Sequence, residues 1–229
     1  MKSFVPLLLL LMLNLPVSAH SLNDAEAVIK EQERYAQFVD RVAPPFTLFD
    51  TQGNPVSKLD LAGKVVVLNF LYTRCADACP LHMNLIAQLQ DRVSEQGLSG
   101  QVEFITIATD TESNVDLTVD NMNAYGRNFD LAPSNWRFLY RDASGDPELT
   151  RSLAEDYGLK FSSVSEGVQM HGLVTHVVDQ EGWLKARFHG LEFKPGNLVS
   201  YLEVLVKGPS ALNDSTWDEV HTYFENMFK

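Results

Sequence analysis

The chain has 229 residues, of which 45% are hydrophobic, and its net charge at neutral pH is −12. This length suits one domain with short extensions. The acidic charge and the lack of a basic stripe exclude nucleic-acid binding as a function, and an anionic membrane surface would repel the chain. No segment after Leu15 is apolar enough to span a bilayer, so we expect a soluble protein.

The amino terminus has the three parts of a secretory signal. Lys2 precedes an apolar run from Phe4 to Leu15, and the small residues of Pro16-Val17-Ser18-Ala19 suit cleavage after Ala19. An uncleaved membrane anchor is the alternative, but the run is shorter than the ~20 residues that cross a bilayer. We therefore expect residues 1–19 to be removed and the mature protein to be periplasmic.

The rest of the chain predicts helices and strands in alternation. Ser21 and Asn23 can cap a helix from about Asp24 to Val39, in an amino-terminal helical extension over residues 20–43 that ends before two prolines. Beyond it, a short hairpin is predicted around Gly53, single strands over 64–71, 102–109 and 136–140, and a second hairpin from 173–179 and 183–188. Helices are predicted to begin at Pro80 and to cover 115–129, 148–157 and 196–205.

The chain has only two cysteines, Cys75 and Cys79, and both follow the strand over 64–71. A structural disulfide usually joins distant parts of a chain, and a bridge closing five residues removes little entropy from the unfolded state. The pair is therefore predicted to serve chemistry rather than stability. It lies at the amino end of a helix, where the backbone N–H groups favour a thiolate, and that helix has a predicted core stripe of Leu81, Leu85, Leu89 and Val93.

A thioredoxin fold carries its active cysteines at this position, just after a central strand. We therefore predict the α/β class with a thioredoxin-like fold over residues 44–207, in which helices flank both faces of a mixed central sheet. Residues 208–229 are predicted to form a linker and an amphipathic helix over 215–228.

Three residues separate the cysteines, whereas a thioredoxin redox pair has two between them. This spacing permits a disulfide, which makes Cys75 and Cys79 candidate redox residues, and it also lets two thiolates point at one metal ion. Soft thiolates favour Cu(I), Zn(II) or an iron–sulfur cluster. Two ligands alone do not make a specific site, so a third ligand is expected from elsewhere in the fold.

The histidines differ in their predicted surroundings. His171 immediately precedes a strand, in a loop that a thioredoxin fold brings alongside the cysteine helix, and it is the candidate third ligand. His176 lies inside that strand, so its side chain is expected on the opposite face, packed in the core or at an edge. His82 is expected to be a solvated helix residue, with a swing toward the site as the alternative, whereas His189 and His221 are expected at the surface.

The motif resembles the SCO/SenC family of thioredoxin-like copper proteins, which assist assembly of the binuclear copper centre of cytochrome c oxidase. The family pattern F-x-x-T-x-C-x-D-x-C-P is matched from Phe70 to Pro80. Family members also carry a distal histidine eight residues before the Asp of an Asp-x-x-Gly turn, and His171, Asp179 and Gly182 fit that spacing. The resemblance covers about residues 44–207.

The resemblance implies that Cys75, Cys79 and His171 bind one copper ion, as Cu(I) or Cu(II). It also implies a client protein that receives the copper, such as cytochrome c oxidase subunit II, and we expect a monomer. One departure from the family is that Thr111, rather than proline, follows Asp110.

Other functions compete with this interpretation. A thiol–disulfide oxidoreductase would act on client cysteines without metal, although it would place a cis-proline near the position of Leu173. A peroxiredoxin would need threonine where Tyr72 stands, and a binding module with an inert disulfide does not explain why the only two cysteines share one motif. The oxidoreductase is the main alternative.

Overall fold

A computed structural model describes residues 21–111, 114–165 and 168–211, with side chains for all of these except 163–165, 168–171 and 210. The predicted signal over 1–19 and the predicted helix over 215–228 lie outside the described residues. The elements in chain order are α1 (Leu22–Gln32), β1 (Ala36–Val42), β2 (Thr47–Asp50), β3 (Pro55–Ser57), β4 (Val65–Leu71), α2 (Ala78–Glu95), β5 (Val102–Ala108), α3 (Val115–Asn128), β6 (Trp136–Tyr140), α4 (Leu149–Asp156), β7 (Phe161–Ser165), β8 (Val168–His171), β9 (Val174–Val178), β10 (Trp183–His189) and α5 (Pro195–Lys207).

Eight strands form one mixed sheet in the order β1-β10-β9-β4-β5-β6-β2-β3. β4, β5 and β6 run parallel, whereas their other neighbours are antiparallel. β4 and β5 are buried along their whole length, as predicted from the continuous apolar run of β4 and the apolar-rich sequence of β5. Because parallel strands end at the same edge of a sheet, the residues that follow β4 and β5 lie side by side.

Helices cover both faces of the sheet, which confirms the predicted thioredoxin-like α/β architecture. Alternate residues of β4 point to opposite faces: Val67 packs with α2 and α5, whereas Leu68 packs with α4. Full burial of an aliphatic side chain of this size contributes about 1.5–3 kcal/mol to folding.

Across the described parts of the chain, no helix combines the length and the apolar character needed to cross a membrane.

The prediction of a helix reaching Val39 is wrong, because α1 ends at Gln32 and β1 follows it. The predicted cap is present: the backbone N–H of Asp24 donates to Ser21 Oγ over 3.2 Å, and the Asp24 carboxylate accepts from the backbone N–H of Ser21 over 2.8 Å. The residue after the helix, Glu33, is buried and accepts from the backbone N–H of Lys194 at the start of α5 over 2.7 Å. β1 then pairs with β10, a partner far along the chain.

The two-stranded sheet of β7 and β8 was absent from the predicted elements. Its register pairs Phe161 with His171. The prediction that His171 lies in a loop is therefore wrong, since it is the last residue of a strand. Short strands such as these carry little sequence signal of their own, because each is stabilised by its pairing partner.

α2 begins at Ala78, two residues before the predicted start, and the predicted core stripe is wrong at Leu81, whose side chain is 53% exposed. Each four-residue step advances about 400° around a helix, so a stripe at this spacing drifts by about 40° per step. The drift turns the first residue away from the core. The face that does pack inward consists of Cys79, His82, Met83, Leu85, Ile86, Leu89, Gln90 and Val93.

Candidate metal centre

The two cysteines occupy the loop between β4 and the first turn of α2, and both are free thiols. Cys75 precedes the helix and is partly exposed, whereas Cys79 is the second helical residue and only 4% exposed. The backbone N–H of Cys75 donates to the carbonyl of Tyr72 over 3.0 Å, which closes a turn. One thiol therefore faces solvent and the other faces the core.

Hydrogen bonds from the end of β5 and from α3 hold this loop in place. The buried carboxylate of Asp110 accepts from the backbone N–H of Thr73 over 3.0 Å and from its hydroxyl over 2.6 Å. The hydroxyl of Tyr125, on α3, donates to the backbone carbonyl of Cys75 over 2.6 Å. The ends of β4 and β5 are joined where Thr109 N–H donates to the Leu71 carbonyl over 2.8 Å. The loop is thus fixed from both β5 and α3.

The thiols differ in acidity. Partial burial opposes ionisation of Cys75. This effect is outweighed by hydrogen bonds that the Cys75 sulfur accepts from the backbone N–H groups of Asp77, Ala78 and Cys79 and from the Cys79 thiol. The pKa of Cys75 therefore lies below its ordinary value. Burial raises the pKa of Cys79 to about 12, and its hydrogen bond to Cys75 acts in the same direction. Cys75 therefore ionises first, while Cys79 keeps its proton.

We expect iodoacetamide to alkylate Cys75 faster than Cys79 by roughly tenfold or more, since each unit of pKa between two thiols changes the thiolate fraction about tenfold. Exposure favours the same order. Timed alkylation of the reduced, copper-free protein followed by peptide mass spectrometry measures both rates. Equal rates, or a faster Cys79, would contradict the asymmetry of the pair.

The third predicted ligand, His171, has a described backbone position at the end of β8, but its side chain lies outside the described residues. Three residues after it the chain enters β9, where Thr175 lies opposite Asn69 of β4. Among the side chains that the structure describes, no group of three His, Cys, Asp or Glu residues forms a metal site. The copper ligand set therefore stays a prediction.

The other histidines are placed as follows. The prediction that His82 is solvated is wrong: its side chain is 1% exposed, and its Nε2 lies 2.9 Å from the hydroxyl of Thr175. His176 is fully buried, as predicted for a core residue, and packs edge-on against the rings of Phe70 and Tyr157. His189 is exposed, as predicted, whereas His221 lies outside the described residues.

Burial, together with the charge of Arg187, lowers the pKa of His176 to about 3. The unfolded chain binds a proton there below about pH 6.5 and the folded chain does not, so folding stability falls as the pH drops below that value. We expect a loss of about 2 kcal/mol between pH 7 and pH 5 from this residue. Denaturant unfolding should show this pH slope reduced in His176→Phe, which keeps an aromatic ring; an unchanged slope would contradict the assignment.

Asp110 and Tyr125 are functional-site residues that the sequence did not identify. Asp110 was noted only because Thr111 follows it in place of a proline, and a lone acid at a strand end does not reveal the loop that it supports. Tyr125 lies eight residues after Leu117 in an ordinary amphipathic helix. The position of a helix relative to a loop depends on tertiary packing, so no local pattern predicts this contact.

The fold and the paired thiols define a class of protein: a thioredoxin-like domain with two free cysteines, separated by three residues, at the amino end of a helix. The SCO1/SenC family model matches residues 34–207. The chain therefore belongs to the SCO1/SenC family. The match includes β1, which lies in the main sheet.

Two curated relatives bear on the chemistry. The "SCO1 protein homolog" of Bacillus subtilis is 24% identical over 157 residues, which cover 66% of this chain and 75% of the relative. The "Thiol-disulfide oxidoreductase ResA" of Bacillus anthracis is 34% identical over 95 residues, which cover 41% of this chain and 50% of ResA. The chain thus resembles both a SCO1 homologue and, over a shorter span, a disulfide-exchanging protein.

Solved structures share the fold. BsSco, described with a disulfide switch and as a member of the Sco family of cytochrome c oxidase assembly proteins, has a TM-score of 0.63 at 19% identity, covering 74% of this chain and 96% of BsSco. Copper-bound ScoI of Arabidopsis thaliana has a TM-score of 0.57 at 24% identity, covering 73% of this chain and 97% of ScoI. At these identities the likeness shows the architecture of the domain.

Proposed function

We propose that this protein is an extracytoplasmic copper metallochaperone. It binds one copper ion as cargo through Cys75, Cys79 and His171 and delivers it to a copper enzyme. The observation that carries the proposal is the adjacency of two free thiols, joined by a hydrogen bond, at the amino end of α2. Family membership and the copper-bound ScoI structure support the same cargo.

The donor chemistry of the described residues fits copper. Thiolates are soft ligands, which Cu(I) prefers, and the backbone N–H groups at the start of α2 already stabilise charge on Cys75. The metal must displace the proton that Cys79 holds, so loading releases protons and is favoured by higher pH. An imidazole from His171 completes the proposed ligand set.

Exposure of the thiols indicates the route of transfer. Cys79 is buried, so an incoming ligand from a client reaches the copper from the side of Cys75. The support of this loop by Asp110 and Tyr125 keeps the two thiols together while the client approaches. Release of the ion then follows replacement of the protein's ligands, one at a time, by those of the client.

The proposal extends to location and partners. We place the mature protein in the periplasm as a soluble monomer without residues 1–19, with a binding domain over 44–207 and further segments over 20–43 and 208–229. The client we propose is subunit II of cytochrome c oxidase, because BsSco is described as a member of a family of assembly proteins for that enzyme.

A second candidate, thiol–disulfide exchange, is favoured by the asymmetry of the two thiols. The thiolate of Cys75 would attack a client disulfide and form a mixed disulfide while one client sulfur leaves. Cys79 would then attack Cys75, releasing the second client thiol and leaving the Cys75–Cys79 disulfide, so two electrons pass to the client. The similarity to ResA supports this alternative.

Copper titration of the reduced protein tests the proposal. We expect one equivalent of Cu(I) to bind tightly, and no specific binding after oxidation to the Cys75–Cys79 disulfide, because a disulfide cannot supply thiolates. Competition with a Cu(I) chelator of known affinity gives the dissociation constant. Absence of stoichiometric binding by the reduced protein, combined with efficient reduction of a client disulfide, would establish the oxidoreductase instead.

A further inference from the structure

Two segments must meet to form the proposed site, and a buried hydrogen bond joins the elements that carry them. His82 lies on α2, one turn after Cys79, and its Nε2 is 2.9 Å from the hydroxyl of Thr175. Thr175 lies on β9, four residues after His171. Both partners are buried, at 1% and 0% exposure, so the bond connects the helix that carries one cysteine to the strand that follows the histidine.

We infer that His82 and Thr175 are positioning residues, whose hydrogen bond holds the cysteine helix at a fixed distance from the His171 segment. The inference rests on the proposed copper function, and it assigns to His82 a task other than metal binding. Metal-supporting residues of this kind typically change metal affinity by about 10- to 100-fold when they are lost.

Backbone pairing also holds the chain that runs from His171 to Thr175. β8 pairs with β7 rather than with the main sheet. The carbonyl of Leu173 accepts from the backbone N–H of Gly190 over 2.9 Å, which fixes this stretch to the β10 side but not to α2. The bond from Thr175 adds a side-chain link between this segment and the helix of Cys79.

A buried hydrogen bond also stabilises a fold, so the test needs a control that separates stability from positioning. Thr106 supplies it: this hydroxyl is also fully buried, donates to Asn69 over 2.9 Å and accepts from the indole of Trp136 over 3.0 Å. Thr106 lies on β5 and bonds to two sheet residues, and its hydroxyl also has a long contact of 3.9 Å to the sulfur of Met83 on α2. Thr106→Val therefore removes a hydroxyl from the same core while the bond between His82 and Thr175 stays in place.

The first measurement is Cu(I) affinity by chelator competition. Thr175→Val and His82→Leu should each weaken binding about tenfold. The double variant should be no weaker than His82→Leu alone, because His82→Leu already removes the bond to Thr175. His82→Gln, which keeps a polar group at a similar reach, and Thr175→Ser, which keeps the hydroxyl, should recover most of the affinity. Thr106→Val should bind copper like the wild type even where its melting temperature falls. Wild-type affinity in both Thr175→Val and His82→Leu would overturn the inference.

The second measurement needs no copper and so separates this inference from the proposed function. In a Cys79→Ser, His171→Cys background, the glutathione equilibrium of the disulfide between Cys75 and the introduced thiol reports how close the two segments are held. The effective concentration should fall about tenfold with Thr175→Val and stay unchanged with Thr106→Val. If the effective concentration falls in Thr175→Val but the wild type binds no copper, the positioning role stands and the copper function is removed. If the effective concentration does not change in Thr175→Val, the positioning role itself is overturned.

Discussion

Replacing His171 with alanine should weaken copper binding by about tenfold or more, because losing a metal ligand removes at least ~1.4 kcal/mol of binding free energy. The same change should leave the Cys75–Cys79 disulfide able to form and to be reduced. The physical reason is that the imidazole supplies a nitrogen ligand, whereas thiol exchange depends on thiol acidity and access. Chelator competition measures the first effect, and a glutathione redox titration measures the second.

The chain offers a matched control at His189, an exposed histidine whose Nε2 lies 3.2 Å from the Gln37 side chain. His189→Ala should keep wild-type copper affinity, whereas Cys75→Ser should lose both copper binding and disulfide formation. If His171→Ala bound copper as tightly as the wild type, and the wild type turned over disulfide substrates without metal, the oxidoreductase would displace the metallochaperone.

The central strands were predictable because a strand that is buried on both faces has apolar residues at most consecutive positions. β4 and β5 are buried on both faces, so most of their positions are apolar, and the polar residues Asn69, Glu103 and Thr106 have partners inside the protein. The cysteine pair was also recognisable in the sequence, since its spacing and its place after β4 are local features. These two signals together were sufficient for the fold class.

Elements that depend on distant partners were not predictable in the same way. The residues of β1 follow α1 and were predicted to continue that helix. They form a strand because they hydrogen-bond to the edge strand β10 of the sheet. His82 looked like a surface residue because polar residues usually lie on the solvent face of a helix. Its burial is tolerated because Thr175, from a strand far along the chain, satisfies the ring nitrogen.

The support of the loop that carries Cys75 belongs to this second group. Asp110 ends up beneath the loop because β4 and β5 are parallel neighbours and their following residues meet at one edge. Burial raises the pKa of its carboxyl group, an effect that the two hydrogen bonds from Thr73 oppose. A carboxylate in such a place is retained only where its partners are well arranged, so the geometry of the loop and the state of Asp110 depend on each other.

We therefore expect Asp110→Ala to lower the free energy of unfolding by about 2–4 kcal/mol, because it leaves two buried donors of Thr73 without their acceptor. Asp142→Ala is the matched control: Asp142 accepts from the backbone N–H of Ser144 over 2.6 Å and from its hydroxyl over 2.7 Å, but at the surface, where water replaces the lost acceptor. That variant should lose less than about 1 kcal/mol. Urea unfolding of both variants provides the comparison, and Cu(I) affinity should fall in Asp110→Ala alone, since its loop carries Cys75. Equal and small losses in the two variants would show that the loop does not depend on Asp110.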